Sequence, residues 1–375
     1  MVLSNNQKAF LALLRAGLWE SEVKLSPYKE LDYNQIYLLA QEQSVVGLVA
    51  AGIEHLVDTK IPQTLALQFA GDTLQLEQRN RAMNAFISDL FIKLKSTRID
   101  ALLVKGQGIA QCYERPLWRA SGDIDLLLDE DNYIQAKKYL IPLADAVEEE
   151  NTRTFHQGLN IVPWEVELHG TLRTELWKRI DKGIDSIKDE MFRNHEFQVW
   201  INGKTEVFLP APNNDVVLVF IHILQHFFRG GIGLRQICDW CRLLWTYRIE
   251  INTRLLESRL IKIGLTSEWK AFASLAVCYL GFPDEAMPIY DSSRHWKKKA
   301  NGILNCIFEK GNFGHKVICN NRGGNLRRFR KVKSVWNYTK EAFEHSYIFP
   351  LDTLHVWMNT MRLGGNAAIE SIKSR

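Results

Sequence analysis

Arg119-Ala120-Ser121-Gly122-Asp123-Ile124-Asp125-Leu126-Leu127-Leu128 sets two carboxylates one residue apart at the head of an apolar run. The run from Ile124 is short and nearly unbroken, as in a buried strand. On a strand, residues two apart point to one side. Asp123 and Asp125 therefore share a face, and Ile124 and Leu126 share the other. Paired carboxylates repel each other and resist desolvation. A divalent cation removes that penalty, and Mg²⁺ takes one or two protein carboxylates together with phosphate oxygens. The tripeptide alone is common, and an exposed acidic strand end is its plain alternative.

Features on both sides strengthen the metal-nucleotide reading. Upstream, Ala101-Leu102-Leu103-Val104 reads as another buried strand, closed by the turn Lys105-Gly106-Gln107-Gly108 and followed by a helix. Glycines there let backbone N–H groups approach a phosphate, and a helix N-terminus attracts its charge. An ordinary strand-to-helix turn is the alternative. Downstream, Trp164-Glu165-Val166-Glu167-Leu168-His169 alternates strictly. Glu165, Glu167 and His169 share one strand face, and Val166 and Leu168 the other. A third carboxylate there completes a two-metal site or acts as general base toward an acceptor hydroxyl. A solvent-facing edge strand is the alternative.

Lys105-Gly106, Tyr113, Arg119-x-x-Gly122-Asp123-Ile124-Asp125-Leu126-Leu127 and Glu167-Leu168-His169 together resemble the uncharacterised bacterial nucleotidyltransferases of the polymerase-β-like superfamily. His156 also resembles a family position. The resemblance covers roughly residues 98–245. It implies that Asp123 and Asp125 bind the metal ions that bridge to a nucleoside triphosphate, as Mg²⁺ or alternatively Mn²⁺. Glu167 is then the third carboxylate, a metal ligand placed to activate the acceptor. Gly106, with Gln107 beside it, lies in the phosphate-cradling turn. Lys105 and Arg119 supply positive charge, and Gly122 and His169 complete the nucleotide-facing motif. The implied reaction is in-line attack of an acceptor hydroxyl on the α-phosphorus, releasing pyrophosphate. Positioning and charge neutralisation then carry catalysis. Much of the superfamily has Gly-Ser or Gly-Gly where this chain has Gly106-Gln107, and a shorter gap before its first aspartate.

Around this centre the chain reads as α+β, a small mixed β-sheet core between helical regions. Residues 1–97 form an N-terminal helical region, 98–210 the nucleotidyltransferase core and 211–375 a C-terminal helical region. Met83, Phe86, Ile87, Leu90 and Leu94 make a one-sided helical stripe, in a helix whose first turn begins at Pro62. Tyr133, Ala136, Leu140 and Ile141 mark a helix capped by Asp129 or Asp131. Residues 152–169 read as two strands broken at Pro163, and Asn202-Gly203 as a hairpin turn. From Asn213 the pattern is helical. Asp215, His222 and His226 form one stripe there, facing the cleft to contact nucleotide or acceptor, or bonding to Arg235 and Asp239 on the next helix.

Composition is ordinary for a globular chain, with 46% hydrophobic and 24% charged residues. No run is apolar for the roughly 18–20 residues that a membrane helix needs. The N-terminus lacks a signal-peptide layout. A cytoplasmic protein with six reduced cysteines is expected. Cys238-x-x-Cys241 stands alone and reads as buried helix thiols. The expected partners are an NTP and an unidentified small-molecule, peptide or RNA acceptor. The net charge of +4 demands no nucleic acid. The basic stretch at residues 322–333 is the one feature suited to a polyanion, in a toxin-like transferase acting on tRNA. A non-catalytic ligand-binding protein on the same fold is the other rival.

Overall fold

Ser4 and Gln7 cap each other's backbone amides and so open the first helix, α1 (Asn5–Trp19). The computed structural model describes residues 3–311, 347–355 and 357–358. Helices α2 (Tyr33–Glu42) and α3 (Val46–Glu54) follow. α1 and α3 cross at glycines. A β-carbon on Gly17 would stand 1.8 Å from the Leu48 carbonyl oxygen, and one on Gly52 2.0 Å from that of Leu13. Backbone cannot step aside as a side-chain tip can. Gly17→Ala is therefore expected to lower stability by about 3 kcal/mol, at the upper end of overpacking, read as a fall in the urea midpoint.

Pro62 stands just before the long helix α4 (Gln63–Ser96) and serves as its N-cap. The predicted stripe is buried at Met83, Ile87, Leu90 and Leu94, with Phe91 added and Phe86 only partly covered. The chain then lays down β1 (Leu102–Val104), α5 (Gly106–Ala110) and β2 (Ile124–Leu127). Asp129 accepts from the Asn132 amide at 2.8 Å and caps α6 (Glu130–Leu140). β3 (Ala146–Val147), β4 (His156–Ile161) and β5 (Trp164–His169) complete a five-stranded sheet in the order β1-β2-β5-β4-β3. The central β2–β5 pair is parallel, and its register sets Asp125 opposite Glu167. The other pairs are antiparallel. The sheet is mixed and the fold is α+β.

α7 (Lys178–Arg193) buries Ile180, Ile184, Ile187 and Met191 along one face. The Asn202-Gly203 turn joins β6 (Phe197–Asn202) to β7 (Thr205–Pro210), with Gly203 at a φ of 66° that favours glycine. α8 (Pro212–Arg229), α9 (Leu234–Thr246), α10 (Thr253–Ile263), α11 (Thr266–Leu280) and α12 (Arg294–Lys310) follow. Cys238 and Cys241 are buried within α9.

Two hydrophobic clusters hold these elements. The smaller joins α4 and α6 to one face of the sheet. The larger runs from Ala9 to Phe349 and takes in α1–α3 together with α8–α12. Polar contacts tie the same regions. Trp19 Nε1 donates to the Leu280 carbonyl at 2.6 Å, and Gln43 bonds both the Ile307 carbonyl and the Leu234 amide. Among the described residues no helix is long and apolar enough to cross a membrane. The basic stretch 322–333 lies outside the described residues.

Candidate active site

The parallel pairing of β2 with β5 brings three carboxylates together. Asp123 immediately precedes β2, Asp125 lies within it, and Glu167 lies on β5. One oxygen from each lies within 4.8 Å of the others, a spacing that can hold a metal ion. Their surroundings set unequal charge states. Burial, then the neighbouring Asp125, pushes the Asp123 carboxyl above its usual range. Burial works against Asp125 as well, yet Lys105 and His169 hold it below the usual range. Lys105 Nζ and His169 Nε2 both lie 2.8 Å from Asp125 Oδ1. Glu167 is likewise held low against burial, by His156 and His169. His169 is raised above an ordinary histidine despite its burial, through Asp125 and Glu167. The donors are hard oxygens with an excess of negative charge, which fits Mg²⁺.

The Lys105-Gly106 turn closes over this group. Its residues have φ values of 59° and 43°, and only Gly106 takes such a conformation without strain. A β-carbon on Gly106 would meet the Asp123 carbonyl at 3.5 Å, so conformation rather than space requires the glycine. The helix that follows, α5, has five residues and so offers amides but little dipole. Gln107 does not face the cleft. Its side chain is buried and bonds Asn80, which ties the turn to α4, and Ser121. Gly122 is exposed, with open space around it.

Arg119 lines the cleft with its charge already matched. Its guanidinium grips Asp239 of α9 through Nε at 3.0 Å and a terminal nitrogen at 2.7 Å, and Tyr113 donates to the same carboxylate at 2.7 Å. Asp239 thus bonds Arg119 and Tyr113, where the sequence suggested the histidines of α8. His222 and His226 stack edge-to-face on α8, 4.4 Å between ring centroids. Burial first, then Lys105, keeps both neutral, with His226 lowered to about 4. They can hydrogen-bond a substrate but bring no charge.

Residues 29–281 match the family model described as "Uncharacterised nucleotidyltransferase". The chain belongs to this nucleotidyltransferase family. It is also similar to a solved structure, an antigenic nucleotidyltransferase-like protein from Paracoccidioides brasiliensis, at 15% identity and a TM-score of 0.30. That match covers 49% of this chain and 90% of the other. No curated protein matches.

In this nucleotidyltransferase-family chain two cavities meet at Glu167. One, of about 250 Å³, is lined by Lys105, Gly106, Asp123, Asp125, Arg119 and Arg235. Sequence reasoning did not single out Arg235 as a site residue. One terminal nitrogen donates to the Ala120 carbonyl at 2.7 Å, and Nε is buried without a partner. Burial, then Arg119, lowers its pKa against the pull of Asp239 and Asp123. Its place four residues before Asp239 on a helix was the available signal.

The other cavity, of about 300 Å³, runs along α8 and is lined by Asp215, His222, Gln225 and His226, with His156, Glu167 and His169 across from them. Its arginines are matched: Arg173 pairs with Asp185 at 2.7 Å, and Arg229 faces Glu175 at 3.9 Å. Asp215 is 6% exposed. Among the described residues nothing bonds its side chain, and burial alone raises its pKa to about 7. The folded chain therefore keeps a proton that the unfolded chain releases above about pH 4. Stability should fall as pH rises from there to about 7, then level off. Asp215→Asn should remove that fall, so the urea midpoints of wild type and variant should diverge between about pH 4 and 7, with the variant ahead at pH 8.

Proposed function

We propose that the chain transfers a nucleoside monophosphate from an NTP to a hydroxyl of a small-molecule acceptor, with Mg²⁺ held by Asp123, Asp125 and Glu167. The observation that carries this reading is the convergence of those carboxylates where a cation-lined cavity meets a second cavity. The metal, when bound, supplies Lewis-acid stabilisation of the charge on the reacting phosphate.

The chain's own residues do the rest. Gly106 presents backbone to the phosphates, and Arg235 offers its guanidinium to them. Lys105 orients Asp125, and Asp239 holds Arg119 at the cleft wall. Glu167 stands between the cavities, where it can take the proton of an attacking hydroxyl. The donor occupies the cavity that holds Lys105, Arg119 and Arg235. The acceptor takes the other, whose volume suits a small molecule. Its arginines already face carboxylates and Asp215 is unmatched, which favours a neutral or cationic acceptor over an RNA end.

Calorimetric titration with each of the four ribonucleoside triphosphates plus Mg²⁺ tests the donor half. One base should bind in a metal-dependent way, and binding of none would sink the reading. Arg235→Met keeps the length of the side chain and removes its charge. A charge-assisted hydrogen bond contributes about 1.5–3 kcal/mol, so NTP affinity should fall about ten- to a hundredfold. Unchanged affinity would remove Arg235 from the donor site. Reversing the charge of the 322–333 stretch tests the RNA alternative, which requires activity on RNA to vanish with it.

A further inference from the structure

The sheet face that carries the carboxylates also carries two imidazoles. β4 and β5 pair so that His156 lies directly opposite His169, and their rings are 4.9 Å apart. Both turn Nε2 toward one oxygen of Glu167, at 3.2 and 3.3 Å. His169 Nε2 also lies 2.8 Å from Asp125 Oδ1. One ring nitrogen carries at most one proton, so His169 cannot bond both carboxylates fully. N–H···O bonds cluster near 2.9–3.0 Å, shorter than either separation to Glu167. Two ligands of one tetrahedral ion, each about 2.0–2.1 Å from it, lie about 3.3 Å apart. The separations to Glu167 match that edge.

We propose that His156, Glu167 and His169 form a second metal site with nitrogen donors, distinct from the all-oxygen group, with Glu167 shared between them. Their ligand atoms lie within 4.8 Å of one another. His169 offers the metal the same Nε2 that bonds Asp125, so the ion takes the place of the proton between them. The chemistry of the donors selects the ion. Two imidazoles and one carboxylate suit Mn²⁺, Fe²⁺, Co²⁺ or Zn²⁺, whereas Mg²⁺ prefers oxygen alone. The two sites also face different ways. His156 and His169 line the cavity along α8, and Asp123 and Asp125 line the other. The nitrogen-bearing site therefore lies on the acceptor side. That placement rests on the nucleotidyl-transfer reading, whereas the existence of the site does not.

The test uses the full chain without nucleotide. Mn²⁺ is added and its ligands are read by pulsed EPR for ¹⁴N coupling. Co²⁺ is added separately and read by its visible absorption. Coupling to two imidazole nitrogens is expected. His156 is partly exposed, so His156→Gln should leave the sheet packed, which its urea midpoint checks. That variant should lose one coupled nitrogen. Its Mn²⁺ affinity should drop at least roughly tenfold, the loss that even an outer partner of a metal ligand brings. Asp123→Asn should leave the nitrogen coupling intact. An all-oxygen Mn²⁺ signal, no binding of either ion, or a His156→Gln variant indistinguishable from wild type would each overturn the proposal in favour of a hydrogen-bonded clamp. Nitrogen coupling in a protein that binds no NTP would keep the metal site and discard the transferase reading.

Discussion

Asp123→Asn/Asp125→Asn is expected to abolish metal-dependent NTP binding and to cut nucleotidyl transfer by roughly a thousandfold or more. Asparagine keeps the shape of each side chain and removes its charge, so the sheet should remain folded. Burial already resists the charge on Asp123, and its neighbour adds to that resistance. Taking both charges away relieves that repulsion, although Lys105 and His169 lose their partner. Glu167 remains beside both cations, so a moderate loss of urea midpoint is expected while function disappears. Binding of NTP·Mg²⁺ by the double variant at wild-type affinity, measured calorimetrically, would exclude these carboxylates as the metal site. A wild type that binds no NTP at all would point to another phosphorylated donor or to a binding protein.

A second large effect is expected far from the carboxylates in sequence. Asp239→Asn should destabilise the fold by about 3–5 kcal/mol, because it strands a buried cation. Arg119 is 6% and Asp239 4% exposed, and the guanidinium has little water to fall back on. Arg235, which also feels the charge of Asp239, lines the same cavity. Losing Asp239 would take a counter-charge from both cations. Two further measurements separate this cause from a general packing defect. Added pyrophosphate should restore part of the lost urea midpoint, since an anion in the cavity replaces the missing charge. Arg119→Met/Asp239→Leu should be far less damaged than Asp239→Asn, because an apolar pair of similar size often substitutes well for a buried ion pair. A loss below about 1 kcal/mol for Asp239→Asn would show the pair to be energetically minor.

These two predictions mark what the sequence discloses and what it withholds. Asp123 and Asp125 are neighbours in the chain, and the two-residue period of a strand is enough to put them on one face. Glu167 and His169 follow from the same rule. Their convergence with Asp125 requires the parallel pairing of β2 with β5, which local pattern does not encode. Asp239 was visible as a polar position on an apolar helix. Its partner Arg119 lies 120 residues away, so the histidines of the preceding helix stood as the nearer candidates. Gln107 occupies the Lys105–Gly108 turn by sequence, yet its side chain is taken by Asn80 on α4, a contact with no local signature. α7 did carry a readable stripe at Ile180, Ile184, Ile187 and Met191. β3, at two exposed residues, offered none.

The larger hydrophobic core has a consequence for how the chain is made. Its first three helices rest on the last ones, and Gln43 reaches the Ile307 carbonyl, 264 residues further along. On a ribosome adding about 5–20 residues each second, the first helices emerge on the order of ten seconds or more before their partners exist. Through that interval Phe10, Leu13 and Leu14, all fully buried in the finished molecule, have α3 beside them but lack α11 and α12. The newborn N-terminus is thus a natural client for chaperones that shield apolar helices. A nascent chain stopped after residue 281, where the family match ends, lacks α12 and should stay protease-sensitive at α1 and α3 even with every proposed site residue already synthesised.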